Sequence, residues 1–108
     1  MIRARGGDAF VVPGDTRDED TIEAAMLKIK DHYGQLDVLV NNAGGQYIAA
    51  ARDITNKGFE AVIRNNLIGS WQMTRAAADH FMFERGGSVV FVTAISARTA
   101  LTGFTHTV

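Results

Sequence analysis

The sequence has 108 residues, of which 46% are hydrophobic and 21% charged, and its formal net charge is −1. Those values suit one small globular domain and exclude a disordered chain. A near-neutral chain has no basic field for nucleic acid or anionic membranes, and the absence of cysteine excludes disulfides and thiolate chemistry. The histidines lie too far apart to suggest a metal site. With no apolar run typical of a signal peptide or membrane span, we expect a cytoplasmic protein.

The first half of the chain predicts a strand, a helix and a second strand. Residues 9–12 form a short apolar run that ends at a Pro-Gly pair, as a buried strand would. A helix should then reach about Tyr33, with a cap either from Thr16 paired with Glu19 or from Asp18. Residues 36–40 predict the second strand, and their single charge suggests that both faces are covered.

The second half predicts a long helix and a third strand. Thr55 can cap a helix that reaches about Glu84, because apolar residues recur in it at spacings of three and four. Residues 88–93 predict the third strand, with an apolar centre. Helix-sized connections between strands imply parallel pairing and an α/β layer fold.

Ligands of such folds bind at the carboxyl ends of the strands. This directs attention to Asp15, to residues 41–45 and to residues 93–96. Small residues at a strand end let a backbone approach a ligand closely, and paired amides can satisfy backbone groups that a turn leaves unpaired. An ordinary polar turn is the alternative explanation.

Four segments together carry a family resemblance. Asn41-Asn42-Ala43-Gly44 follows a buried strand, Gly14-Asp15 follows the preceding one, and Asn66-Leu67 lies inside the long helix. Residues 86–93 supply a Gly-Gly-Ser strand. In this order and spacing, the sequence resembles the short-chain dehydrogenase/reductase family over essentially its whole length.

The resemblance implies a partial Rossmann-like three-layer fold that holds family strands three, four and five in a parallel sheet. It also implies a site for NADP or NAD. Asn66 would belong to the catalytic tetrad, where it holds a water in a proton relay and locally bends the helix, whereas Asn65 would be a solvated neighbour. The implied cofactor-binding residues are Asp15, near the adenine, and Thr16, Asn41, Ala43, Gly44 and Thr93.

Several family features are missing. No glycine-rich fingerprint precedes the Asp15 segment, and Gly6 and Gly7 do not replace it because no strand comes before them. The catalytic Ser position falls on Ala94, the Tyr position on Thr107, and the Lys position beyond Val108. We therefore expect residues 1–108 to be an incomplete NAD(P)-binding domain, without the first Gly-rich unit and the last catalytic part.

Two further segments resemble one branch of the family, the trans-2-enoyl-CoA and 2,4-dienoyl-CoA reductases. They are residues 44–47, and Thr93-Ala94 followed by His106. Gln46 and Tyr47 would then lie beside an acyl-CoA substrate, unless Tyr47 only packs at the rim. Ser96 is a candidate replacement for the lost hydroxyl.

Three functions remain open. The first is part of an NAD(P)H-dependent oxidoreductase that transfers hydride to a small molecule, with dimerisation through the 55–84 helix. The second is a non-catalytic remnant that self-associates or pairs with an intact relative. The third, a flavodoxin-type binding module, is disfavoured because residues 13–16 make a poor phosphate loop. In the family's order, two strands separate strand three from strand four, so we also expect a bare sheet edge.

Overall fold

The computed structural model describes residues 1–94 and 102–107. Its helices and strands are α1 (Glu19–Tyr33), β1 (Val38–Asn41), α2 (Asn56–Ile63), α3 (Gly69–Ala77), α4 (Phe83–Arg85) and β2 (Ser88–Phe91). Short 3₁₀ turns cover Arg3–Arg5, Ala51–Asp53 and Thr105–Thr107. Within this part of the chain, no helix is both long and apolar enough to cross a bilayer.

Helix α1 forms as the sequence predicts, with one of the two proposed caps. The carboxylate of Asp18 accepts from the backbone amides of Asp20 and Thr21, which have no partner inside the helix. A cap of this kind stabilises a helix by about 1 kcal/mol. Thr16 does not cap, so the expected capping box with Glu19 is wrong. Gly34 ends α1 at φ 74°, a left-handed conformation that glycine adopts without strain.

The long helix over residues 56–85 is interrupted by two π-helical turns. Thr55 caps it by accepting from the amide of Gly58 at 3.1 Å, as predicted. The π turns, Arg64–Ile68 and Ala78–Met82, separate α2 from α3 and α3 from α4. A π turn widens the helix and shifts the direction of the following side chains. Asn66, where the family resemblance implies a local bend, lies in the first of these turns.

The sheet has two parallel strands among the described residues, β1 and β2. Val38 pairs with Ser88 and Asn41 with Phe91, and the ladder continues where the amide of Val92 donates to the carbonyl of Asn41. Parallel pairing across the long helix confirms the α/β arrangement. It also places the residues after β1 and after β2 at the same edge of the sheet.

Among residues 1–94 and 102–107, elements cover one face of this sheet and leave the other open. Leu39 points toward the helices and is buried, whereas Val38 and Val40 on the other face are 51% and 54% exposed. The expectation that both faces are covered is wrong for the described residues, because α1 and the long helix lie on the same side. The core between these helices and the sheet is formed by Ile22, Met26, Leu39, Ala77, Phe81 and Met82.

Residues 9–12 do not form the predicted strand. They have no regular secondary structure and no place in the sheet. A strand needs a neighbour to satisfy its backbone groups, and the family's sheet order separates this segment from β1 by two strands. Side chains hold the segment instead: Phe10 stacks on His32 at 4.3 Å, and the Tyr33 hydroxyl donates to Asp8 at 3.0 Å.

We predict that the isolated chain does not remain a monomer. The open sheet face exposes Val38 and Val40, and β1 has one neighbouring strand in the described part of the chain, so its other edge leaves backbone groups unpaired there. The outer face of the long helix exposes Trp71 and Phe83 at 61% and 77%. Such surfaces recruit other chains. Sedimentation equilibrium at micromolar concentration should show oligomers or aggregates. A single 11.7 kDa species that unfolds cooperatively would contradict this prediction.

Candidate functional site

A cleft opens at the carboxyl ends of β1 and β2, where the sequence predicts a ligand site. It has a volume of about 750 Å³, within the range of small-molecule pockets. Its wall combines the loop after β1, the start of α3 and the end of β2. The residues that line it include Asn41, Ala43, Gly44, Gly45, Gln46, Asn66, Ser70, Trp71 and Thr93.

Asn66 is joined to the loop after β1 by two reciprocal hydrogen bonds. The amide of Gly45 donates to Asn66 Oδ1 at 2.9 Å, and Asn66 Nδ2 donates to the carbonyl of Gly45 at 3.0 Å. This is the pattern of a peptide pairing with another peptide, here supplied by a side chain. The bond pair fixes the orientation of the Asn66 amide and holds the loop against the helix.

The contact continues as a polar ladder along one face of the long helix. Ser70 Oγ donates to the carbonyl of Asn66, and Thr74 Oγ1 donates to the carbonyl of Ser70, each at 2.8 Å. Thr74 Oγ1 also accepts from Asn41 Nδ2 at 3.0 Å. Since these helix residues are four apart, they share one face. The Asn41 side chain is buried and bonds to the helix rather than to strand backbone.

Gly44 is required by the packing of Asn66. A Cβ atom at Gly44 would lie within 3 Å of Asn66 Oδ1, closer than real Cβ contacts. The sequence suggested that small residues serve a close approach by a ligand. In the structure, the absence of a side chain at Gly44 lets Asn66 reach the backbone of the loop.

Asp15 and Thr16 lie in a second cleft of about 370 Å³ beside the same loop. Asn65 and Ala43 form its other side. Asp15 makes a bidentate ion pair with Arg17, and hydrogen bonds from the Arg17 guanidinium and backbone amide hold the pKa of Asp15 at about 2, below its usual value. Its carboxylate is therefore ionised at neutral pH.

The remaining predicted residues divide between the cleft and its rim. Thr93 and Gln46 line the larger cleft. Tyr47 packs away from it, with its hydroxyl against Gly58, and its ring lies 4.6 Å from that of His106. His106 is 2% exposed and its ring nitrogens have no partner among the described residues. Ser96 lies outside the described residues.

Three residues contribute to the clefts without having been predicted from the sequence. Asn65 is half-buried and lines the smaller cleft, although periodicity suggested a solvated residue. Trp71, on the helix expected to mediate dimerisation, also borders the larger cleft. Arg17 carried a detectable signal, because a guanidinium two residues after a carboxylate in a turn can fold back onto it.

We predict that Asn66→Ala releases the loop locally. The Gly45 amide loses its acceptor, and a hydrogen bond contributes about 0.5–1.5 kcal/mol, so its hydrogen exchange should accelerate up to about tenfold. Asn65→Ala is the matched control, since the Asn65 side chain lies near Gly45 but makes no hydrogen bond among the described residues. Equal acceleration at core amides such as that of Met26 would indicate global unfolding. Unchanged exchange at Gly45 would contradict the prediction.

Comparisons with known proteins agree on one family. The short chain dehydrogenase family matches residues 1–106. Among curated relatives, an uncharacterised oxidoreductase, YhdF, of Bacillus subtilis is 34% identical over 91% of this chain and 35% of its own length. A peroxisomal 2,4-dienoyl-CoA reductase of Arabidopsis thaliana is 30% identical over 92% of this chain and 36% of its own length.

A solved structure has the same fold. The citronellol catabolism dehydrogenase AtuB of Pseudomonas aeruginosa superposes with a TM-score of 0.88 and 30% identity, over 97% of this chain and 42% of that protein. The chain thus spans well under half the length of these relatives. The matched residues include both clefts, the Asn66–Gly45 pair and the parallel strands. The chain belongs to the short-chain dehydrogenase family.

Proposed function

We propose that this chain contributes the middle of the cofactor cleft of an NAD(P)H-dependent oxidoreductase. The observation that carries the proposal is the reciprocal pair between Asn66 and Gly45, which borders the larger cleft at the carboxyl ends of two parallel strands. Because the chain belongs to the short-chain dehydrogenase family, we expect a cleft at this position to hold the cofactor. Residues 1–108 would then be an incomplete dinucleotide-binding domain of a longer protein, which we expect to act in the cytoplasm.

Two neighbouring clefts suit the two ends of a dinucleotide. Both clefts use Ala43 as a wall, so they meet at the loop after β1. The smaller cleft offers the Asp15 carboxylate and the amide of Asn65, which suit the hydrogen-bonding edge of a base. The larger cleft offers the Thr93 hydroxyl beside apolar surface, which suits a nicotinamide ring. When bound, the cofactor would supply the hydride.

The chain's own residues would bind the cofactor and orient it. Asp15 and Thr16 would hold the adenine end, while Ala43, Gly44 and Thr93 would border the nicotinamide end. Asn41 would support the strand end through Thr74. Asn66 would hold a water for proton transfer, as the family resemblance implies, and the bonds to Gly45 would fix its orientation.

For the substrate, we propose a small molecule, with the double bond of an enoyl-CoA as the specific candidate. One relative is named for reducing a dienoyl-CoA. Gln46 lines the larger cleft and is placed to contact a substrate. Tyr47 fits the role of a rim residue better, since its hydroxyl packs against Gly58. Ser96 and Thr107 stay candidates for the missing hydroxyl.

The second candidate function is a non-catalytic chain that self-associates or pairs with an intact relative. The exposed valines on the open sheet face favour it, because a second chain would cover them. A homo-oligomer through the long helix, which exposes Trp71 and Phe83, is consistent with either function.

We predict that the chain binds NADPH weakly at the two clefts but does not turn over substrate. The family's Ser and Tyr positions hold Ala94 and Thr107, so the hydroxyl pair that would stabilise the transition state is changed. In a titration followed by amide NMR, Gly44, Gly45 and Thr93 should shift with NADPH. Asn66→Ala should reduce these shifts, and Lys28→Ala, on α1, should not.

The same chain should be inactive with NADPH and crotonyl-CoA or a dienoyl-CoA. Turnover above about 0.01 per second, a thousandth of a typical enzyme rate, would contradict inactivity. Absence of any shift at Gly44, Gly45 and Thr93 at millimolar NADPH would contradict the cofactor cleft.

A further inference from the structure

The guanidinium of Arg17 binds the carboxylate of Asp15, which borders the smaller cleft. Its Nε donates to Asp15 Oδ1 at 2.9 Å and to Oδ2 at 3.1 Å, and its Nη2 donates to Oδ2 at 2.6 Å. The backbone amide of Arg17 adds a bond to Oδ1 at 2.9 Å. The single Nε–H is shared between the two oxygens, so three N–H groups engage a carboxylate that has about four lone-pair positions, and most of its acceptor capacity is taken.

The backbone around Asp15 is fixed independently of that ion pair. The Thr21 hydroxyl donates to the Asp15 carbonyl at 2.9 Å, and the Asp15 amide donates to Thr21 Oγ1 at 3.2 Å. The next residue, Thr16, packs its side chain against Gly69 at the start of α3. A new partner for the carboxylate can therefore replace Arg17 without rearranging the loop.

We propose that Arg17 competes with the bound base. In the free chain the guanidinium directs its N–H groups to both oxygens of Asp15, and an amino-substituted base such as adenine competes with them when it donates its exocyclic amino group to the carboxylate. The inference rests on the proposed dinucleotide site, and it assigns Arg17 as a residue that tunes the affinity of the adenine end.

The displacement is energetically modest. The Arg17 and Asp15 side chains are 51% and 44% exposed, and exposed ion pairs contribute about 0–1 kcal/mol. The ion pair between Arg17 and Asp15 therefore weakens the binding of a base to Asp15 by no more than about fivefold. Because the carboxyl is ionised well below neutral pH, it stays an acceptor once Arg17 has moved.

Adenosine is the appropriate probe, because it has the base but no phosphate that a change in net charge would attract or repel. In amide-NMR titrations at pH 7, Arg17→Ala should bind adenosine about twofold to fivefold more tightly than the unaltered chain. Arg17→Lys, which keeps the charge but loses the bidentate geometry, should be intermediate. Lys28→Ala removes a positive charge on α1 away from Asp15 and should leave the affinity unchanged.

A carbon-detected titration of the Asp15 carboxyl gives a second measurement. Its pKa should rise from about 2 toward its ordinary value in Arg17→Ala, because the guanidinium donors are gone. An unchanged titration would show that the pair does not form and would overturn the proposal.

Three affinity results would also overturn the proposal: equal binding of adenosine by Arg17→Ala, weaker binding, or no binding by either form. None of these bears on the nicotinamide end, where the NADPH shifts at Gly44 and Thr93 test the proposed function. The failure of one is therefore distinguishable from the failure of the other.

Discussion

The reciprocal hydrogen bonds between Asn66 and Gly45 are the constraint on which the site depends. They join a helix to a loop that has no regular secondary structure of its own. A loop at a strand end ordinarily samples many conformations, and two directed bonds to a half-buried amide restrict it to one. Gly44 makes this possible, because any side chain there would collide with the same amide.

The π turn Arg64–Ile68 extends that constraint to the second loop. Within and just after this one turn, Asn66 holds the loop after β1, Asn65 lines the Asp15 cleft, and Gly69 receives Thr16. A regular helix would rotate these residues differently, since a π turn adds a residue before the next bond. The segment that contains the irregular turn thus contacts both strand-end loops.

Much of the fold follows from local sequence signals, whereas its exceptions depend on distant partners. The cap at Asp18, the stop at Gly34 and the parallel strands are encoded by turn chemistry and apolar periodicity. Residues 9–12 carry the same apolar signal as β1, yet they form no strand, because pairing depends on neighbours that a local pattern cannot report. The open sheet face likewise depends on which elements pack against it, and a local pattern cannot report this.

The site was partly predictable for a similar reason. The apolar stripe predicts Asn66 rather than Asn65 as the inward amide, yet Asn65, in the same π turn, is half-buried as well. Periodicity assumes a constant 3.6-residue repeat, and the shift introduced by the π turn is invisible to it. The Gly44 collision and the Thr16–Gly69 contact are likewise tertiary, so composition suggested small residues without revealing which side chain required them.

The core residues and the cleft residues of the long helix lie at different positions along it. Met26 and Leu39 pack against Phe81 near the end of this helix, whereas the helix residues that line the cleft lie between Asn66 and Thr74. Burying a side chain of this size contributes about 1.5–3 kcal/mol, more than any single hydrogen bond of the polar ladder. The core can therefore hold the helices and sheet together while the ladder from Asn41 to Asn66 sets the shape of the cleft. Substitutions along the ladder should accordingly alter loop order and ligand binding before they unfold the chain.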